Sequence, residues 1–287
     1  DYEIEHLERA FSRMTQRGRL VVVPVIGAPG SGKSRLTSEF LSRLNKRSET
    51  CTVDVSQCIP SSEGVPFAPF RRSFRNRYPI YDEDEKATVY ALLRHLPGVR
   101  ALPDDVAESR VERLSALLGL AGNSGSHEAS EEAWQSPSDP SQDLAFEAYC
   151  HYIRALSKEI PYILVVDDFQ WIRPSSMKLL SYLSQRCLDC PIMIIMTVRE
   201  RDADKTLASV DVPASSLTAL ELGMLTKRDV HAMAESLFGA EVLDEKLLRT
   251  LHELTNGLPQ EVEEHLEALV ESGSLKKDGI EWSYEAV

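Results

Sequence analysis

Gly27-Ala28-Pro29-Gly30-Ser31-Gly32-Lys33-Ser34 fits the spacing G-x-x-x-x-G-K-[ST] at every position. It follows Leu20-Val21-Val22-Val23-Pro24-Val25-Ile26, a β-branched apolar run of the kind buried in parallel sheets. It precedes a stretch in which Leu36, Phe40, Leu41 and Leu44 recur at helical spacing. Strand, glycine loop and helix are the context in which this spacing carries chemistry. Glycines let successive backbone N–H groups turn inward around the α- and β-phosphates of a nucleotide, at a helix N-terminus that itself favours anions. The residues expected to bind nucleotide here are Gly27, Ala28, Pro29, Gly30, Ser31, Gly32, Lys33 and Ser34. Lys33 would reach the β- and γ-phosphates as a point charge, and the Ser34 hydroxyl would ligate Mg²⁺.

A second stretch completes the pattern: Pro161-Tyr162-Ile163-Leu164-Val165-Val166-Asp167-Asp168-Phe169-Gln170-Trp171, an apolar strand ending in two acids. Asp167 would hold Mg²⁺ through its water shell, and Asp168 would orient or polarise the attacking water. A third apolar run, residues 192–198, ends at Arg199. The end of a strand beside the acidic one faces the γ-phosphate in parallel sheets of this kind, which makes Arg199 a candidate sensor of that phosphate and, with Lys33 and Asp168, a candidate catalytic residue.

Composition narrows the rest. At 287 residues with 43% hydrophobic side chains there is room for one α/β domain and a smaller appendage. A net charge of −13 argues against a general nucleic-acid surface, which needs clustered Lys and Arg. No apolar run approaches a membrane span and no signal peptide is visible. The five cysteines are scattered. Cys187 and Cys190 form one C-x-x-C without a second pair or histidines at ligand spacing, so all five read as reduced, mostly buried thiols of a cytoplasmic protein. The chain starts at Asp1 without Met, as a piece of something larger would.

Elsewhere, Leu7, Ala10, Phe11 and Met14 predict an amphipathic helix over 3–16. Pro24 predicts a bulge or an early end to pairing in the first strand. A second strand is expected over 50–55. Arg71, Arg72, Arg75 and Arg77 alternate with Phe70 and Phe74, which could make a phosphate-binding helix. On an acidic protein they read better as solvated arginines on a helix whose phenylalanines face inward. Residues 86–120 read as helical with interruptions near Pro97 and Pro103. Residues 122–142, rich in Ser, Gly, Pro and acids, read as a flexible insertion with Trp134 as its only large aromatic. A last strand is expected over 217–222, followed by a wholly helical region. There Thr226 and Asp229 form a capping box, Asp244 opens a helix that Asn256-Gly257 closes, and Pro259 starts the final helix.

The combination resembles the STAND class of AAA-related P-loop ATPases, found in large signal-transduction regulators. The resemblance rests on residues 27–34 with Arg35-Leu36 after them, Cys58 and residues 66–70, and Asp167-Asp168-Phe169-Gln170-Trp171 with Pro174 and Ser176. It continues through Thr197-Val198-Arg199, residues 221–226, and Thr255-Asn256-Gly257-Leu258-Pro259, and so spans nearly the whole chain. It implies a P-loop NTPase, a parallel sheet flanked by helices, over 1–222 with the insertion at about 121–142. A small helical, lid-like domain over 223–287 would follow, and a winged-helix domain would lie beyond. It adds Arg35 and Pro259 to the nucleotide-binding residues. Gln170 and Arg173 depart from the family's usual His and Asp, and the Gly-Arg-Glu that helps seat adenine is absent.

The implied function is a slowly hydrolysing Mg-ATP switch acting on further domains of the same chain, with ATP and ADP as ligands and homo-oligomerisation on activation. The alternatives are a DNA-acting AAA+ loader of the origin-recognition type, a catalytically inactive nucleotide-binding scaffold and, least favoured, a small-molecule kinase.

Overall fold

The structure, a computed structural model, describes residues 2–60, 65–81, 83–120, 140–239, 243–278 and 281–284. In chain order the elements are α1 (Tyr2–Arg17), β1 (Val21–Gly27), α2 (Lys33–Lys46), β2 (Thr52–Gln57), α3 (Ala68–Arg77), α4 (Lys86–Arg94), α5 (Asp104–Leu118) and α6 (Pro140–Glu159). Then come β3 (Tyr162–Asp167), α7 (Pro174–Arg186), β4 (Ile192–Arg199), α8 (Ala203–Ser209), β5 (Leu220–Glu221), α9 (Lys227–Phe238), α10 (Glu245–Thr255), α11 (Pro259–Glu271), β6 (Leu275–Asp278) and β7 (Glu281–Tyr284).

The chain divides into two compact units, one of residues 1–26 and 36–220, the other joining 27–35 to 221–287. In the first, the sheet order is β2-β3-β4-β1-β5. The pairs β2–β3 and β3–β4 are parallel, with Gln57 opposite Asp167 and Val166 opposite Met196. Every residue of β1 is buried, as are all of β4 up to Val198, because helices cover both faces. Aromatic pairs bind α3 to α6 edge to face: Phe70 with Tyr149 at 5.6 Å between ring centroids, and Phe74 with Tyr152 at 5.8 Å.

Several expectations need correction. The first strand does not end early: β1 runs through Pro24 to Gly27. Val22 O accepts from Thr218 N, so by strand alternation the missing Pro24 N–H faces β5, a two-residue strand that asks little of the ladder. The last strand is correspondingly shorter than expected, with Leu217 contributing only an isolated bridge to Val22. Of the expected insertion, residues 140–142 belong to α6, and 121–139 with Trp134 lie outside the described residues. The α3 phenylalanines face inward as expected, yet its arginines are not simply solvated. Arg71 Nε donates to Leu117 O at 2.9 Å, Arg72 to Gln57 O at 3.0 Å, and Arg77 pairs with Asp54 at 2.5 Å. They close off backbone carbonyls and a buried acid that belong to other elements.

The second unit has its own apolar core of Val230, Ala234, Leu248, Leu251, Val262, Leu266 and Leu275. Thr226 and Asp229 form the full capping box, Asp244 caps α10, and Asn256 ends α10 in left-handed backbone at φ 49°. The region is not wholly helical, because β6 and β7 pair antiparallel, with Phe238 edge-on to Trp282 at 5.0 Å. Among the described residues no helix is long and apolar enough to cross a membrane.

Candidate nucleotide site

The glycine loop runs from the end of β1 into the first turn of α2. Gly32 sits at φ 87°, a region closed to most side chains, and a Cβ built on it would meet nothing within 4 Å. The loop therefore presents open space lined by backbone where a phosphate would lie. Lys33 Nζ donates to Gly27 O at 3.0 Å and Ala28 O at 2.7 Å, which fixes its ammonium over the loop. Among the described residues the buried hydroxyl of Ser31 finds no hydrogen-bond partner, an expensive condition that a bound oxyanion would relieve.

In the same unit the turn before α11 packs on this loop. Gln260 N donates to Gly30 O at 3.2 Å, and Arg35 stands 3.9 Å from Glu263, both side chains largely exposed. The turn depends on Gly257: at φ 74°, a Cβ there would come within 2.1 Å of Leu225 O. Leu225 N in turn donates to Gly257 O at 2.8 Å. Pro259, at the first turn of α11, thus lies one residue from a direct contact with the loop. Gln260 is a loop neighbour that the spacing alone did not reveal.

The acidic segment belongs to the other unit. Asp167 ends β3, and its carboxylate accepts the Thr197 hydroxyl of β4. Asp168 is left-handed at φ 53°, and three bonds hold it there. Its N–H donates to Thr197 Oγ1 at 2.8 Å, while its carboxylate accepts Gln57 Nε2 at 3.0 Å on one oxygen and Gln170 Nε2 at 2.8 Å on the other. Each carboxylate oxygen keeps acceptor capacity for one more donor, which leaves room for a water. Gln170 Oε1 is buried without a partner among the described residues, a second unmet oxygen. Cys58 N donates to Asp167 O at 2.9 Å. Burial, and next the Asp168 carboxylate, push the Cys58 thiol up to about 12, so it stands beside the acids as an inert thiol.

Arg199 closes β4, the strand between β3 and β1, and its guanidinium lies 5.4 Å from the centre of the Trp171 ring. Sequence reading missed Gln57, and it named Thr197 only as part of Thr197-Val198-Arg199, without its role in holding the two acids. A lone hydroxyl in the apolar run of β4 and a polar end to β2 were visible signals. Their meaning required the registers Gln57–Asp167 and Val166–Met196.

Taken unit by unit, the donor chemistry suits a nucleotide and Mg²⁺: the loop offers a backbone cradle, the Lys33 cation and the Ser34 hydroxyl, and the acidic turn offers the Asp167 carboxylate, a hard oxygen of the kind Mg²⁺ prefers. Among the described residues no group of three or more His, Cys, Asp and Glu forms a metal cage. Mg²⁺ held by one or two protein oxygens together with phosphates requires none.

Comparison with known proteins agrees. The chain is 26% identical over 208 residues to the uncharacterized protein R02095 of Rhizobium meliloti, covering 71% of this chain but 19% of that one. Among solved structures, the ORC1 protein of Aeropyrum pernix, determined in complex with DNA, is similar with a TM-score of 0.51 at 14% identity, over 95% of this chain and 59% of its own. The Walker-type ATPase PABY2304 of Pyrococcus abyssi matches with a TM-score of 0.51 at 14% identity, over 91% of this chain and 65% of its own. At such identities the two structures speak for the fold, which is that of P-loop NTPases, and the chain spans less than two thirds of each relative's length. The AAA ATPase domain matches residues 1–195, more than half of the sequence, and the chain belongs to that family.

Proposed function

We propose that this chain is a cytoplasmic Mg-ATP-binding, slowly hydrolysing switch domain of the STAND class, relaying nucleotide state to other domains of its protein. The observation that carries the reading is that the phosphate loop, residues 27–35, belongs to the same compact unit as residues 221–287. The bond from Gln260 N to Gly30 O is its most direct expression. A change in the loop when a phosphate arrives or leaves therefore acts on the segment after residue 220, which we assign as the lid.

In this reading Gly27, Ala28, Pro29, Gly30, Ser31 and Gly32 wrap the phosphates with backbone N–H groups, while Arg35 and Pro259 border the nucleotide. Lys33 neutralises the β- and γ-phosphates. Ser34 and Asp167 would hold Mg²⁺, which supplies charge neutralisation of the transferring phosphoryl group. Asp168 orients the attacking water through the acceptor capacity its two glutamines leave open, and Arg199 senses the γ-phosphate. Positioning and electrostatics do nearly all the catalytic work. Homo-oligomerisation on ATP binding belongs to the same proposal. A loader role on DNA is disfavoured by the net charge of −13.

Equilibrium titration with ATP, with and without Mg²⁺, followed by turnover at saturating ATP, tests the assignment. Tight Mg-dependent binding with slow ADP production is expected. Absence of ATP binding, or preferential binding of GTP, would overturn it.

A further inference from the structure

We infer that a cavity at the N-terminal end of β1 is a second anion site, one that takes a small phosphate-bearing molecule. The cavity measures about 370 Å³, and three arginines, Arg13, Arg17 and Arg19, line it. That volume is near the lower end for small-ligand sites, roughly 300–1,000 Å³. Several arginines of this chain pair with carboxylates, as Arg43 does with Glu39, Arg94 with Asp104 and Arg100 with Glu159, and others, such as Arg71 and Arg72, with backbone carbonyls. The three at the cavity differ: among the described residues Arg13 donates to the neutral Thr218 hydroxyl at 2.6 Å, and the side chains of Arg17 and Arg19 meet no acid. The single carboxylate on the cavity wall, Asp189, is engaged by Arg154 at 2.9 Å.

Arg17 gains something from the C-terminal end of α1, where a cation complements the helix dipole. Arg19 lies past that end, so the dipole does not explain why it joins the cluster. Three guanidinium groups around one concavity match a dianion better than a monocarboxylate, and each offers the planar fork that grips phosphate oxygens. The hydroxyls of Ser215 and Ser216 add donors on the wall, and Leu20 and Leu188 supply an apolar floor. A phosphate group with a small organic remainder has a place for both of its parts. A nucleic acid would need an extended basic track, which a pocket of this size does not provide.

The test uses the whole chain with Lys33→Ala, which weakens the glycine loop, and pyrophosphate as probe in calorimetric titration. Adding Arg17→Ala and Arg19→Ala should weaken pyrophosphate binding by about tenfold or more, as expected when charged hydrogen bonds are lost. Arg17→Lys with Arg19→Lys should recover part of it. The two alanine substitutions on their own, at exposed positions, should leave the unfolding midpoint and Mg-ATP affinity unchanged. Equal pyrophosphate affinity with and without the arginines would overturn the site, and so would arginine-dependent binding of an oligonucleotide without any of pyrophosphate. AMP in place of pyrophosphate separates sources. Tighter arginine-dependent binding of AMP supports a phosphate ester on the apolar floor, and tighter binding of pyrophosphate supports free phosphates.

Discussion

The glycine loop and the acidic turn both require left-handed backbone. The loop reaches it with Gly30 at φ 77° and Gly32 at φ 87°, where no Cβ resists. The turn reaches it with Asp168 at φ 53°, a conformation that disfavours most L-residues by ~1–2 kcal/mol and that aspartate tolerates better than most. Asp168 stays there because Thr197 accepts its N–H, its own carbonyl accepts Trp171 N at 2.9 Å, and two glutamines hold its carboxylate. The loop is thus coded by eight consecutive residues. The turn is assembled from β2, β4 and its own 3₁₀ turn, so its geometry depends on the sheet being built first.

This difference can be broken from either side. The largest effect is expected from Asp168→Asn, which keeps the side chain's shape while removing the charge that polarises water and replacing one acceptor oxygen with an amide donor. Turnover should fall about 10²–10⁴-fold, the usual contribution of a positioned acid or base, with ATP affinity preserved. Gly257→Ala attacks the loop's support instead. A Cβ within 2.1 Å of Leu225 O in left-handed backbone should destabilise the 221–287 segment by more than about 2 kcal/mol in denaturant titration. An unchanged midpoint would mean that the turn before α11 can move freely, and the loop would lose its fixed neighbour.

Thr197→Val sharpens the comparison on the acidic side. It strips partners from Asp167 and from Asp168 N–H at once and should cost about 1–3 kcal/mol, with turnover falling as well. Thr197→Ser should restore both, which packing loss alone would not permit. The smallest effect is a cap: Thr226→Ala should lower stability by about 1 kcal/mol. It also has a pH signature. The Thr226 hydroxyl, and next its backbone N–H, hold the Asp229 carboxyl below its usual 3.8. That contribution is complete above the unfolded value and is lost as pH falls through the lower native one, so the gap between wild type and variant should narrow in acid to what the bond from Asp229 N to the Thr226 hydroxyl supplies. A gap that stays constant down to low pH would place the effect elsewhere.

What could be read from the chain follows the same division. The loop, the buried strands β1, β3 and β4, the Thr226–Asp229 box and the Asn256 helix end are local codes, and each has its expected conformation. The supports of Asp168 were not legible, because Gln57 and Thr197 reach it only through sheet register. The α3 arginines were misread for a related reason, since Leu117 O and Gly119 O are acceptors far along the chain. The β6–β7 hairpin was a different kind of miss. Asp278-Gly279 between β-prone flanks is a hairpin signal, overlooked because three helices precede it. At the N-terminal end of β1, Arg17, Gly18 and Arg19 carry no local motif, and only the fold brings Arg13, Asp189 and the serines around them.

The central claim is that the loop binds and the acidic turn hydrolyses, and parallel measurement of ATP affinity and single-turnover hydrolysis in Lys33→Ala and Asp168→Asn tests it most directly. Binding should fall about tenfold or more in Lys33→Ala, given the strength of hydrogen bonds to a charged group. Asp168→Asn should bind ATP like the wild-type chain and hold it unhydrolysed. Tight binding and normal turnover in Lys33→Ala, or an unchanged rate in Asp168→Asn, would contradict the assignment.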